Sequence, residues 1–535
     1  MYNLLSQSLI QAKPLGPLTL AGVLAALARD AVESFPALRP HQAMFWHMFL
    51  VQLAALALHR AGRDRPPEDE AAWAALLRGL TPAFAEDEPW CLVVDDWSKP
   101  AFLQPPVPDD VEFDNEAPTP DAIDLLITAK NHDLKQAIAR AGTPEDWIFA
   151  LVSLQTGEGY GGRNPKKGTF YFGIARMNGG SSSRAMLTLA PLPGADEKVM
   201  APRPGAWFSR DVRTLLAKRE EMLDQTKLDY PDTGLGLTWL APWPEGEQLQ
   251  TGDLDIWFIE VCRRVRLLSR SGRFVGLKGT SKATRINAKH LKGVVGDPWA
   301  PIHRQESKSL TIGDDGDFHY RILVELLFSG EWIMPLLARR APFETAETPV
   351  AIVAQALARG TSKTGGFRSR LVPVSSPAAR SGWNRGAREK LNLLARDQID
   401  TIKRFDRALA YALALAAADG VHDNVKREFY VYTKPARAHL ERHADSIFFA
   451  HLWRQFEAAE QDEAVRQAAE ADFVRDLWQR TRDIFEEFLP TMPCPSLYRH
   501  RAEARARAAL WGNRDLRRNH PEIFEHKEKG GEDVA

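Results

Sequence analysis

The chain reads as an α+β protein, a large mixed α/β N-terminal domain followed by a C-terminal four-helix bundle. Three observations predict this. Strand-forming runs are scattered through the first 375 residues and almost vanish beyond them. Four long segments of helical apolar spacing then follow with short connections, which makes neighbours antiparallel. And 535 residues exceed the size at which a single hydrophobic core stops growing. The expected division is a domain over 1–375 and a bundle over 376–535, with SSPAARSGWNRG as linker.

In chain order, the first 80 residues or so predict helices. The most apolar stretch, Ala43–Leu58, contains His47 and Gln52 and is only 16 residues long, so a buried core helix is expected rather than a membrane span. Pro66-Pro67 breaks the pattern and DEAAWAALLRGL resumes it. Residues 82–124 are acidic and proline-rich, an irregular surface with one short strand at CLVV. WIFALVSL is a helix or strand, and TFYFGIA a strand between glycine-rich loops. IWFIEV, FVGL, SLTI and YRILVELLF predict a mixed sheet, with Gly313–Asp317 as a hairpin turn between the last two. A calcium loop would need a distal Glu that is not spaced correctly there. The bundle helices are expected near 384–418, 432–459, 463–489 and 496–515, with Ile402, Phe405 and Leu409 on one buried face.

Charge is unevenly distributed. The net charge is only −1, yet Val261–Leu310 holds twelve Lys or Arg against two acids. Such a concentration on an otherwise acidic body attracts polyanions, so nucleic acid is the expected partner. Three cysteines far apart form no zinc or disulfide framework, and MYNLLSQSLIQ lacks the regions of a signal peptide. A cytoplasmic protein without membrane contact is expected.

Three loops join glycine to positive charge. The first runs Gly157–Arg163, with Lys166 and Lys167 behind it; the second runs Arg176–Arg184 through Gly179-Gly180. Glycine lets backbone amides approach a ligand closely. The third, Arg359–Arg370, contains Lys363-Thr364 but lacks the glycines of a P-loop, so a groove-inserting basic loop is expected rather than nucleotide hydrolysis. No zincin, nucleophile-elbow or metal-spaced carboxylate–histidine motif is present. His132-Asp133 is an isolated pair, better read as a helix cap than as a nuclease centre, and His439, His443 and His451 as a solvated helix face.

Taken in order, NLL, FWHMFLVQLAALAL, PAFLQ, KNHDL, SLQTGEGYGGR, ARMNGGSSSR, the basic region around Trp299 and GTSKTGGFRSRLVPV resemble the CasA family, the large subunit of the type I-E CRISPR Cascade surveillance complex. The collinear resemblance covers nearly the whole chain. It implies a non-enzymatic subunit, without cofactor, that reads the protospacer-adjacent motif (PAM) of double-stranded target DNA, wedges the strands apart and helps recruit a nuclease. Some relatives have a cysteine-rich zinc site in the middle region; this chain has no such cysteines, so no zinc is expected. Implied partners are the CRISPR RNA, the backbone, small and 5′-handle-binding subunits, and a recruited or fused nuclease.

The resemblance carries the PAM-reading loop onto Gly159, Tyr160, Gly161, Gly162 and Arg163, and a lysine finger onto Lys278 or Lys282. It carries the wedge onto Thr361, Ser362, Lys363 and Thr364; where family wedges often have Gln this chain has Thr361-Ser362, which shifts weight to Lys363. Lys130, Asn131, His132 and Lys135 match the segment that meets neighbouring subunits and the guide. Lys166, Lys167, Arg184, Arg273 and Arg285 are expected on phosphates.

Overall fold

The computed structural model describes residues 2–113, 115–124, 142–157, 173–178, 183–194, 201–345, 348–360, 363–374 and 385–524; of residues 359, 360, 363, 364 and 385 only the backbone is described. The chain divides into two compact units, residues 1–318 with 330–373, and residues 319–329 with 374–535.

The first unit opens not with a helix but with a small antiparallel hairpin, β1 (Ile10–Ala12) and β2 (Gly16–Leu18). Helices α1 (Leu20–Ala28), α2 (Pro40–Arg60) and α3 (Glu70–Gly79) follow, the last capped by Asp69 after the Pro66-Pro67 break. α2 carries apolar residues all round, and a helix with no polar face must be enclosed. Sixteen of its 21 residues are buried, so the one helix among the described residues apolar and long enough to cross a membrane is the core of the unit. It packs against α4 (Pro144–Gly157), α5 (Pro204–Ala217) and the strand β6 (Leu254–Ile259), and the short α6 (Arg219–Thr226) follows α5.

Two polar residues in the middle of α2, His47 and Gln52, each have a buried partner, as desolvated polar groups must. His47 hydrogen-bonds Asp211 at 2.9 Å and stacks on Trp207. Gln52 donates to the carbonyls of Trp257 and Phe258 on β6.

Three three-stranded sheets decorate this core. β3 (Asn115–Ala117), β8 (Arg273–Gly279) and β7 (Arg264–Arg270) form one, in the order β3-β8-β7. β4 (Met186–Pro191), β12 (Val350–Gly360) and β13 (Lys363–Val374) form another, with β12 in the middle. β9 (Ile302–His303), β10 (Lys308–Ser309) and β11 (Trp332–Ile333) form the smallest, and β5 (Leu235–Leu237) pairs with β6 in parallel.

Four sequence expectations change here. CLVV contributes a single bridge, Cys91 to Asn3, rather than a strand. Of SLTI only Ser309 is strand, as the second residue of β10. Residues 363–370, expected as loop, are strand. YRILVELLF, expected in a sheet, is a helix, α7 (Tyr320–Phe328), and belongs to the second unit; Gly313–Asp317 therefore leads into a helix and is no hairpin turn. TFYFGIA lies mostly outside the described residues.

The second unit is built from α8 (Arg385–Ala417), α9 (Lys434–Ala459), α10 (Glu463–Phe488) and α11 (Ser496–Trp511), with a short α12 (Arg514–Asn519). Ile402, Phe405 and Leu409 are buried as their spacing requires, and Phe473, Leu477 and Ile484 line the facing helix. α7 docks on α9: Tyr320 stacks on Phe448 with ring centres 4.6 Å apart, and Arg321 forms a two-pronged ion pair with Glu441. His451 departs from the expected solvated face. It is buried, and burial lowers its pKa; His443 and His451 both face Asp476, at 2.9 and 3.6 Å.

Candidate nucleic-acid interface

Six of the twelve bases in Val261–Leu310 reach solvent: Arg270, Arg273, Lys282, Lys289, Lys292 and Arg304. Arg264, Arg266 and Arg285 are buried and hold irregular chain together. Arg285 donates to the carbonyls of Thr238, Ala241 and Pro242 at 2.8–3.0 Å. Arg266 donates to Val94, Asp96 and Lys99, and Arg264 to Trp243 and Thr280. A segment without helix or sheet leaves its carbonyls unpaired, and a guanidinium offers five donors in one plane. Burial pushes Arg266 down to about 10 and Arg285 down to about 9.

Arg285 is thus corrected from phosphate ligand to internal cross-link. The acidic segment is a neighbour of the basic hairpin: β3 pairs with β8, and Glu116 meets Arg270 at 2.5 Å.

Arg184 is corrected likewise. Its guanidinium grips Asp297 with two hydrogen bonds, at 2.7 and 2.8 Å, donates to Gln52 at 3.0 Å and lies over Trp299. Burial alone would raise Asp297, but Arg184 holds its carboxyl below the ordinary range. At the other end of the second glycine loop, Arg176 is enclosed over the Phe258 ring and donates to the carbonyls of Ile256 and Phe258. The two arginines that made this loop look basic are therefore its anchors. Ser183 adds a third, donating to the Leu357 carbonyl and accepting from the Leu357 amide, which ties the loop to β12.

The first glycine loop has a comparable root. Gln155 bridges the carbonyls of Leu103 and Arg263 and accepts from the Arg263 amide. Gly157 closes α4 against α2: a Cβ there would sit 2.4 Å from the Phe45 ring, so this glycine serves helix packing, not ligand approach.

Of the two finger candidates, Lys278 is half-buried, donates to the Ala122 carbonyl and is lowered by burial. Lys282 is exposed just beyond β8, with no ionic partner among the described residues. Arg273 is likewise exposed at the start of β8. Lys282→Ala is expected to reduce the salt slope of duplex binding by about 0.9, one lost phosphate contact. Lys278→Ala is expected to leave it unchanged, as titrations at several salt concentrations would register.

Gly159–Arg163, Lys166, Lys167, Lys130, Asn131, His132, Lys135, Thr361 and Ser362 lie outside the described residues. Lys363 and Thr364 begin β13. Missing from the sequence reading was the long β12–β13 hairpin that carries them. Its only sequence signal was the apolar run VAIVAQALA followed by FRSRLVPV.

Beside the anchors lies one strained ionisable pair. Glu260 is buried; one carboxylate oxygen accepts from the Ala175 amide, while the other, and Nε and Nη1 of Arg176, have no hydrogen-bond partner among the described residues. Burial raises Glu260 to about 7 against an ordinary 4.5, with Arg176 opposing. A carboxyl raised in the fold contributes stability that is full below 4.5 and lost as pH climbs through about 7. That gap corresponds to on the order of 3 kcal/mol. Glu260→Gln is expected to gain on the parent in thermal midpoint between pH 5 and pH 8; parallel midpoints across that range would refute it.

Among the described residues no three His, Cys, Asp or Glu side chains are grouped to hold a metal ion. No family model matches the chain, and no curated protein matches its sequence. Solved structures do. The fold, a mixed α/β unit and a helical bundle, is that of CRISPR-associated proteins of known structure. In particular, the chain has the fold of CasA, also called Cse1. It matches CasA (Cse1) of Thermus thermophilus at a TM-score of 0.55 and 15% identity, covering 95% of this chain and 98% of that one. It matches Cse1 of Acidimicrobium ferrooxidans at 0.58 and 14%, covering 95% and 97%. A chain of a CRISPR RNA-guided surveillance complex matches at 0.53 and 13%, covering 92% and 99%.

Proposed function

We propose that this chain is the non-catalytic large subunit of a type I-E CRISPR Cascade complex in antiviral defence. It recognises the PAM in double-stranded DNA, helps separate the strands for R-loop formation and helps recruit the effector nuclease. The observation that carries this reading is the correspondence of fold over 95% of the chain and nearly the whole of the Cse1 chains. The roots of both glycine loops and the β12–β13 hairpin lie in one unit, which supports a shared DNA-reading role.

In this reading Gly159–Arg163 faces the PAM, Lys282 is the finger, and Thr361–Thr364 enters below the PAM. Lys130–Lys135 meets the guide and the other subunits, and the work is done in the cytoplasm, away from membranes. Minor-groove edges distinguish little beyond A·T from G·C, so several related PAM sequences should be accepted.

The test is a PAM library screen with the reconstituted RNA-guided complex, with and without this chain. PAM-dependent R-loops only in its presence support the reading. Tight binding to duplexes by the chain alone, indifferent to guide RNA, would instead identify a free-standing nucleic-acid-binding protein.

A further inference from the structure

Among the described residues, the distal half of the β12–β13 hairpin has little sheet to lean on. β4 pairs with β12 only from Val350 to Gln355, and Ser183 holds Leu357. Beyond that point two strands run on to the tip, and a two-stranded ribbon is marginally stable by itself.

The turn Gly313–Asp317 meets this ribbon. Nε of Arg368 donates to the Gly316 carbonyl at 3.0 Å, and Nη2 reaches the Asp314 carbonyl at 3.4 Å. A Cβ on Gly365 would stand 2.6 Å from both the carbonyl and Oδ1 of Asp314, and 3.3 Å from the Ala358 carbonyl on the opposite strand. Only a residue without a side chain lets the turn lie this close. Gly366 follows at φ +120°, a conformation that also favours glycine. The turn is itself fixed: Gly316 N–H bonds the Gly313 carbonyl, and buried Ile312 and Phe318 hold its two ends.

We infer that Gly365 and Arg368 are positioning residues that seat the hairpin on the Gly313–Asp317 turn and thereby set where its tip meets the duplex. The inference rests on the reading of the tip as the strand-separating element. The turn gives support there that no third strand gives among the described residues. Its exposed carboxylates, Asp315 and Asp317, also leave this side of the hairpin unattractive to phosphates.

The experiment uses the full chain in the reconstituted complex, reading duplex opening with a fluorescent base analogue beside the PAM. Gly365→Ala is expected to slow opening about tenfold. It removes no charge, so the salt slope of duplex binding stays at the parental value. Arg368→Ala is expected to slow opening similarly, and Arg368→Gln to recover part of the rate, since an amide still donates to the Gly316 carbonyl. A phosphate-binding role would instead make the Ala and Gln variants equal and lower the slope in both.

Should Gly365→Ala prevent assembly, the Arg368 pair decides. A Gly365→Ala complex that opens at the parental rate, while Gly-Ser in place of the tip slows opening, overturns the brace and spares the tip. Parental opening with the Gly-Ser tip overturns both.

Discussion

Arg184→Ala is expected to destabilise the protein by about 3–5 kcal/mol, the cost of leaving a buried charge without its partner. Asp297 is fully enclosed and receives two hydrogen bonds from Arg184 and one from the Trp299 amide. Truncating Arg184 removes the two charged donors, strands the Gln52 oxygen that accepts from Arg184, and opens a gap against Trp299. The loss should extend to the second glycine loop, whose C-terminal end Arg184 holds.

Denaturant unfolding of Arg184→Ala, Asp297→Ala and the double variant measures the coupling. Each single change should be severe, and the double less than additive. If Arg184→Ala unfolds with the parental midpoint yet flattens the salt dependence of DNA binding, then Arg184 reaches phosphate after all.

Arg184 and Arg285 show where sequence reading stops. A guanidinium satisfied by loop carbonyls and one satisfied by phosphates have the same letter and the same flexible neighbours. What distinguishes them is whether aromatic walls close around the group. Fifteen tryptophans were the available signal: Arg184 lies over Trp299, Arg219 over Trp257, and Arg264 and Arg285 over Trp243.

The bundle was legible because amphipathic helices write their period into the chain, as Ile402, Phe405 and Leu409 do. The α2 core helix was legible from its uninterrupted apolar run. β12 was not, because its inward and outward residues are nearly all apolar, which erases the alternation that marks a half-exposed strand. α7 was misread because a nine-residue segment, apolar but for Arg321 and Glu325, carries too few turns to reveal its period.

Replacing Thr361–Thr364 by Gly-Ser is expected to leave guide RNA binding unchanged and to slow R-loop opening about 10- to 100-fold. The stacking lost when one base-pair step opens is about 1.4 kcal/mol. A tip that occupies the place of one or two separated steps offsets roughly 1.4–2.8 kcal/mol of that barrier, and each 1.4 kcal/mol is about tenfold in rate. Thr361 and Ser362 are small, so in the proposed reading the steric share of a wedge is expected to be modest, with Lys363 expected to contribute much of the rest by attracting a displaced phosphate.

Lys363→Ala alone should therefore fall between the parent and the full replacement, and its deficit should grow as salt is lowered, since salt screens the attraction it removes. Stopped-flow opening of PAM-bearing duplexes at two ionic strengths separates these contributions. A duplex already mismatched beside the PAM needs no wedge, so both variants should open it at the parental rate. Equal slowing on matched and mismatched duplexes would show instead that the tip acts in binding rather than in strand separation.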